Sequence, residues 1–195
     1  MIELSKKWTE STFEAGVDEV GRGCLAGPVV SSAVIIDVNF DQNLINDSKK
    51  LTFKTRNLLD FYIKKHVISY GISLLPPEYI DSHNILNASI DAMHLALEKL
   101  SAPFDHILVD GNRFKPYRDI PHSCIVKGDS KVLSIAAASI LAKNYRDNLM
   151  IELDKEYPMY GWKQNMGYAT KLHREALNKY GPSPYHRKSF RLKYD

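Results

Sequence analysis

The chain has 195 residues, 44% of them hydrophobic and 25% charged, with a net charge of +3. That length fits one domain, or one domain with a small appendage, and that apolar share excludes a disordered or fibrous chain. The longest apolar stretch, Val132 to Ala142, is about half the ~20 residues that a bilayer requires. The first residues, MIELSKKW, lack the apolar core of an export signal. Two cysteines, Cys24 and Cys124, lie far apart and without metal-ligand spacing, so a disulfide framework and a zinc finger are both excluded. The expectation is a cytoplasmic protein without membrane attachment.

In chain order, residues 14–20 and 29–36 (VVSSAVII) are short, β-branched and bounded by turn formers, and they predict two strands joined through Gly21–Pro28. Thr52 can cap a helix that runs to about His66. Residues 67–75 (VISYGISLL) predict a third strand, which could complete an antiparallel meander with the first two. Leu86, Ile90, Met93, Leu97 and Leu100 recur at spacings of four and three, which places them on one face of a second helix. Strands over 106–110 (HILVD) and 122–127 (HSCIVK) precede a long helix from 130 to about 156. The first turns of that helix are apolar nearly all round, as for a helix buried on several sides, and Ala136, Ala137, Ala138 and Ser139 would allow close approach to a sheet. A last helix runs from about Ala169 to Tyr180 and stops at Gly181-Pro182. Strands followed by alternating strands and helices indicate an α/β layered domain with a mixed sheet.

Charge is unevenly spread. Residues 160–195 hold eight Lys/Arg against Glu175 and Asp195, a balance of +6 that leaves −3 on the rest. A basic helical tail on a slightly acidic body suits a polyanionic partner touching both, although an ordinary solvated surface explains the charge equally well.

Four acidic residues at three sites in the chain carry the chemistry. Asp18 and Glu19, in EAGVDEVGRG, are adjacent acids in an apolar segment, costly to bury unless a cation or partner compensates. Alternation along a strand would point them to opposite faces unless the strand ends or twists there, which Gly21 and Gly23 permit. Asp110, in HILVDGN, lies at the C-terminal end of a strand, where sites collect in open α/β sheets. Asp129, in VKGDSK, precedes the long helix. Taken singly, each has a structural reading: exposed acids at a strand end, an Asp-Gly turn, a helix cap that Ser130 could equally supply. Taken together, they could bring four oxygen-bearing groups to one point, a set suited to hard cations such as Mg²⁺. A four-carboxylate centre with two ions ~4 Å apart is an arrangement for hydrolysing a phosphodiester. GRGCLAG matches neither a phosphate-binding P-loop nor a dinucleotide fingerprint. Asp147, beside Arg146, reads as a surface ion-pair residue outside the centre.

The segments DEVGRGCLAGPVV, NDSKKLT, LVDGN, VKGDSKVLSIAAASILAK and MGYATKLH…YGPSPYHRKSF, in that order, closely resemble bacterial ribonuclease HII from about Phe13 to Phe190. The resemblance implies a ribonuclease H-like α/β fold with a five-stranded mixed sheet flanked by helices. It divides the chain into a catalytic domain over 1–158 and a basic helical C-terminal region over 159–195 packed on it. Carried over by position, it implies that Asp18, Glu19, Asp110 and Asp129 bind two Mg²⁺ or Mn²⁺ ions and are catalytic. Gly21, Arg22 and Gly23 correspond to the family's loop that reads the 2′-hydroxyl, and Tyr168 to the aromatic that stacks on the sugar after the ribonucleotide. Read without the family, Gly21 to Gly23 would be a tight turn and Tyr168 a tyrosine at a helix start. Lys49, Lys50, Lys143, Lys171, Arg187 and Lys188 are expected phosphate contacts.

The implied activity is endonucleolytic cleavage on the 5′ side of a ribonucleotide, leaving 3′-hydroxyl and 5′-phosphate ends. The implied substrates are RNA–DNA hybrids and DNA duplexes holding single ribonucleotides, and the implied enzyme is a monomer. Two alternatives stand beside it. A type III enzyme is disfavoured by Arg22, where that type has lysine, and by the dozen residues before the first strand. A non-catalytic binding module of the same fold is disfavoured by the four acids, which gain a binder nothing against phosphates.

Overall fold

The computed structural model describes residues 4–41, 45 and 52–192. Strands β1 (Glu14–Val20) and β2 (Val29–Ile35) pair antiparallel, with Val17 opposite Ala33 and Asp18 opposite Ser32. Helix α1 (Phe53–His66) begins at Thr52, whose hydroxyl accepts the Thr55 N–H. Strand β3 (Ser69–Leu75) then returns antiparallel to β2, completing the meander. Strands β4 (His106–Asp110) and β5 (His122–Ile125) add on the other side of β1, both parallel to it, for a mixed sheet of order β3-β2-β1-β4-β5. Strands β2 and β5 end one and two residues inside the expected ranges and β3 begins two residues late; at β5 the chain leaves the ladder and Lys127 turns with φ 57°.

Alternation along the strands decides which helix covers each face. Ala15, Val17, Ala33, Ile35, Ile107 and Val109 pack against Met93, Ala96 and Leu97 of helix α2 (Pro77–Glu98). The opposite face meets helix α3 (Leu133–Glu156): Val34 packs among Leu133, Ala136, Ala137 and Ala138, and Leu108 against Ile135. The approach of α3 to β1 is close enough that a Cβ on Gly16 would stand 2.4 Å from Ser134 Oγ and 2.5 Å from the Ile135 nitrogen. Glycine on the strand and small residues on the helix are what bring Ser139 within reach of the end of β1.

Periodicity did not reveal two features. Helix α2 is kinked at Asn84 (φ 61°, ψ 162°), where the side-chain oxygen accepts the Asn87 N–H and so caps the second half of the helix. After that kink Ile90, Met93 and Leu97 are buried as expected, whereas Leu86 is exposed beside the cleft described below. A one-turn helix α4 (Trp162–Asn165) also stands between α3 and α5 (Lys171–Tyr180), whose cap is Thr170. Tyr160, Trp162, Ala176 and Leu177 pack this C-terminal part onto Leu25, Ala26 and Met150. Cys24 and Cys124 are both free thiols, and no helix among the described residues is long and apolar enough to cross a membrane.

Candidate active site

The parallel register that pairs Val17 with Val109 makes Asp18 and Asp110 the next residues on neighbouring strands, about 4.8 Å apart in the sheet. Both share the α3 face. Asp18 is 6% exposed; it accepts the Glu19 N–H at 2.6 Å and the hydroxyl of Ser139. Glu19 follows the alternation to the other face. With Asp110, Gly111, Asn112, Arg113 and Arg22 it borders a cleft of about 80 Å³ against Leu86, Ser89, Ile90 and Met93 of α2. Asp110 is fixed by the Gly128 N–H at 2.6 Å, and Asp129 follows directly in a short 3₁₀ turn (Gly128–Ser130).

Electrostatics tie the four acids together through Asp110. Burial raises Asp18 well above the usual carboxylate range, and the charges of Glu19 and Asp110 raise it further while Ser139 opposes them. Burial also raises Glu19, against the stabilising Arg22 guanidinium 3.1 Å away, and Asp110 adds to the rise. Asp110 itself is raised by burial and by Asp129, with Gly128 opposing. Among the described residues, no three His, Cys, Asp or Glu side chains stand close enough to hold an ion as they are. The donors nevertheless fit a hard cation. They are all oxygen, they repel one another, and Glu19 Oε2 is buried with no hydrogen-bond partner. A divalent ion would remedy each of those deficits.

The loop over 21–28 is braced by two buried arginines. Arg146 of α3 donates to the carbonyls of Pro28, Met166 and Ala26 at 3.0, 2.8 and 3.0 Å. Arg187 donates twice to the Gly27 carbonyl and once to that of Arg22. Leu25 N–H donates to Gly167, and Arg187 N–H to Leu25, so the loop is laced to both 166–168 and 185–187. Gly21 has φ +94° and lies against Arg146; Gly23 is exposed with open space around it. Tyr168 is 42% exposed, and its hydroxyl donates toward the buried Cys24 thiol, which places the aromatic beside that loop.

Two expectations are corrected here. Arg187 is fully buried and its guanidinium is occupied by carbonyls, so it braces the loop and is not at the surface to meet a phosphate. Asp147 is in an ion pair as expected, but a buried one: it is 2% exposed and takes Arg56 at 2.8 Å and Lys143 at 3.1 Å. Of the other basic residues, Lys143 is engaged with Asp147, Lys171 stands exposed 3.9 Å from Glu175, and Lys188 is exposed. Lys49 and Lys50 lie outside the described residues. Ser139, Gly128 and Arg146 were passed over in the sequence. None left a local signal: Arg146 stands among Lys143, Asn144, Asp147 and Asn148 in the polar half of α3, and the carbonyls that hold it come from positions 26, 28 and 166.

Comparison with known proteins agrees with this architecture. The family model described as ribonuclease HII matches residues 15–194. The ribonuclease HII of Christiangramia forsetii is 58% identical over 178 residues, covering 91% of this chain and 90% of the relative. The crystal structure of ribonuclease H2 from Pyrococcus horikoshii OT3 superposes with a TM-score of 0.79 at 27% identity, over 93% of this chain and 95% of that one. A structure of Bst-RNase HIII in complex with Mn²⁺ shares the fold at a TM-score of 0.71 and 18% identity, over 92% of this chain and 67% of that one. A five-stranded mixed sheet with acids at the ends of its two central parallel strands, matched in sequence over nearly its whole length, places this chain in the ribonuclease HII family of endoribonucleases.

Proposed function

We infer that the enzyme hydrolyses the phosphodiester on the 5′ side of a ribonucleotide, in RNA–DNA hybrids and at single ribonucleotides within duplex DNA. The products carry 3′-hydroxyl and 5′-phosphate ends. The observation that carries this reading is the placement of Asp110, between Asp18 and Glu19 on one side and Asp129 on the other: its charge raises both Asp18 and Glu19, and the charge of Asp129 raises it in turn. Four mutually repelling carboxylates have no purpose in a surface that only binds phosphates. Two Mg²⁺ or Mn²⁺ ions held by these oxygens would lower the pKa of an attacking water and neutralise the leaving oxygen.

The chain's own residues do the rest. Ser139 and Gly128 orient Asp18 and Asp110 from behind, which fixes the directions in which their remaining oxygens point. Arg22 holds Glu19 at the mouth of the cleft. Gly23, with open space where a Cβ would stand, lets the loop backbone approach a ribose and its 2′-hydroxyl. The half-exposed ring of Tyr168 offers a face on which the next sugar can rest, where a second 2′-hydroxyl would clash. Lys143, Lys171 and Lys188 follow the phosphates. Incubation with Mg²⁺ and a duplex carrying one ribonucleotide tests the reading: a nick immediately 5′ of it supports the proposal, and an intact duplex rejects it.

A further inference from the structure

A pair of buried histidines, His173 on α5 and His186 after it, is used by nothing described so far; they are 0% and 1% exposed. Their hydrogen-bond roles follow from their partners. The Ser183 backbone N–H donates to His186 Nδ1 at 2.9 Å, so that nitrogen is an acceptor and His186 carries its proton on Nε2. Nε2 faces His173 Nε2 at 3.0 Å, which must therefore accept. Trp162 Nε1, a donor only, reaches the same His173 Nε2 at 3.1 Å and imposes the same role. His173 is thus protonated on Nδ1, and that N–H donates to the Tyr168 carbonyl at 2.9 Å. Four groups form one directed chain, from Ser183 through His186 and His173 to the backbone of Tyr168.

We propose that His173 and His186 are positioning residues that fix Tyr168 for its contact with the nucleotide 3′ of the ribonucleotide. The inference rests on the reading of Tyr168 given above. The Tyr168 backbone has three ties: its N–H donates to the Asn165 carbonyl at 2.8 Å, and its carbonyl accepts the Thr170 N–H at 2.8 Å and His173 Nδ1–H at 2.9 Å, of which only the last comes from outside the immediate turn. The ring itself is 42% exposed and touches the loop through Cys24, so backbone placement sets where its face lies. Burial disfavours charge on either imidazole, which keeps the chain of donors intact at ordinary pH.

The test compares cleavage at an RNA–DNA junction with cleavage inside an all-RNA strand, in four variants. In His173→Asn the amide nitrogen takes the place of Nδ1 and keeps the bond to Tyr168. In His173→Gln the amide lies at the Nε2 position and the bond is lost. Preference for the junction, as a ratio of kcat/KM values, should fall about tenfold in His173→Gln and stay within about twofold in His173→Asn. In a Tyr168→Ala background, His173→Gln should bring no further loss. An equal loss in both backgrounds, or equal loss for Asn and Gln, overturns the positioning role alone. If Tyr168→Ala itself leaves the preference unchanged, the reading of Tyr168 falls and takes the inference with it. Long-range ¹⁵N–¹H spectra of the unmodified protein give a check that needs no variant to fold. Near neutral pH they should show both imidazoles neutral, with His173 protonated on Nδ1 and His186 on Nε2; the same tautomer at both would overturn the proposal.

Discussion

The two glycines of the loop after β1 offer a sharp separation of folding from function. At Gly21 the backbone has φ +94°, and an added Cβ would stand 2.3 Å from Arg146 Nε and 2.8 Å from its Cδ. Arg146 cannot yield freely, because its guanidinium holds the carbonyls of Pro28, Ala26 and Met166. The left-handed backbone costs a side chain about 1–2 kcal/mol. Losing one charge-assisted bond adds about 1.5–3 kcal/mol, so Gly21→Ala should destabilise by roughly 3–5 kcal/mol. At about 2–4 °C per kcal/mol for a chain of this size, the melting temperature falls by roughly 10 °C. Gly23 has nothing within 4 Å of a Cβ and no left-handed backbone. Gly23→Ala should therefore leave stability within about 0.5 kcal/mol. If its freedom from a side chain serves the approach of a ribose, nicking at a single ribonucleotide should still drop at least about tenfold, a transition-state loss of about 1.4 kcal/mol. Thermal melts and single-turnover cleavage on both variants decide the matter. Full activity in Gly23→Ala would refute the role given to the loop, and an unchanged melt in Gly21→Ala would refute the bracing by Arg146.

Asp110→Asn keeps an oxygen for the Gly128 N–H but removes the charge that Asp18, Glu19 and Asp129 share; cleavage should fall by about 10³-fold or more, while duplex binding in a gel-shift assay and the melting temperature hold. Arg187→Met should lower the melting temperature, by about 3 kcal/mol or more of stability, because it strands the carbonyls of Gly27 and Arg22. The same variant should leave the salt dependence of duplex binding unchanged, whereas Lys188→Ala should lower that slope by about one. His186 is held down to about 4 by burial and by His173. A histidine lowered on folding contributes in full above its unfolded pKa of about 6.5 and loses that contribution as pH falls toward 4, on the order of 3 kcal/mol in all. Denaturant titrations should show stability of the parent declining between those pH values more steeply than that of His186→Gln.

How much of this was legible in the sequence varies with the distance over which each feature is decided. Strand β2 and the cap at Thr52 are local: a run of β-branched residues, and a hydroxyl three residues from the N–H it accepts. The fit of α3 onto the sheet was legible from Ala136–Ala138, although the contact that shows it most plainly is Gly16 against Ser134. The acids were singled out by their places at strand ends and before the long helix, but the expectation that the strand end would turn Asp18 and Glu19 toward one point does not describe their side chains here, since Glu19 follows the alternation to the α2 face. Arg187 was misplaced because the carbonyls that bury it come from Arg22 and Gly27, some 160 residues away in the chain. Asp147 was placed at the surface because its partner Arg56 lies on α1, and no helical spacing reports that contact. The kink at Asn84 depends on a side-chain cap inside a continuous periodic pattern.

The claim on which the rest depends is that Asp18, Glu19, Asp110 and Asp129 act as one metal-dependent centre directed at ribonucleotides. The most direct measurement incubates the protein with a duplex holding a single ribonucleotide and with its all-DNA counterpart, each with Mg²⁺ and with chelator, and maps the cut ends. One nick immediately 5′ of the ribonucleotide, present only with the ion and absent from the all-DNA duplex, is the predicted result. Cleavage that persists in chelator, or that falls equally on both duplexes, would contradict it.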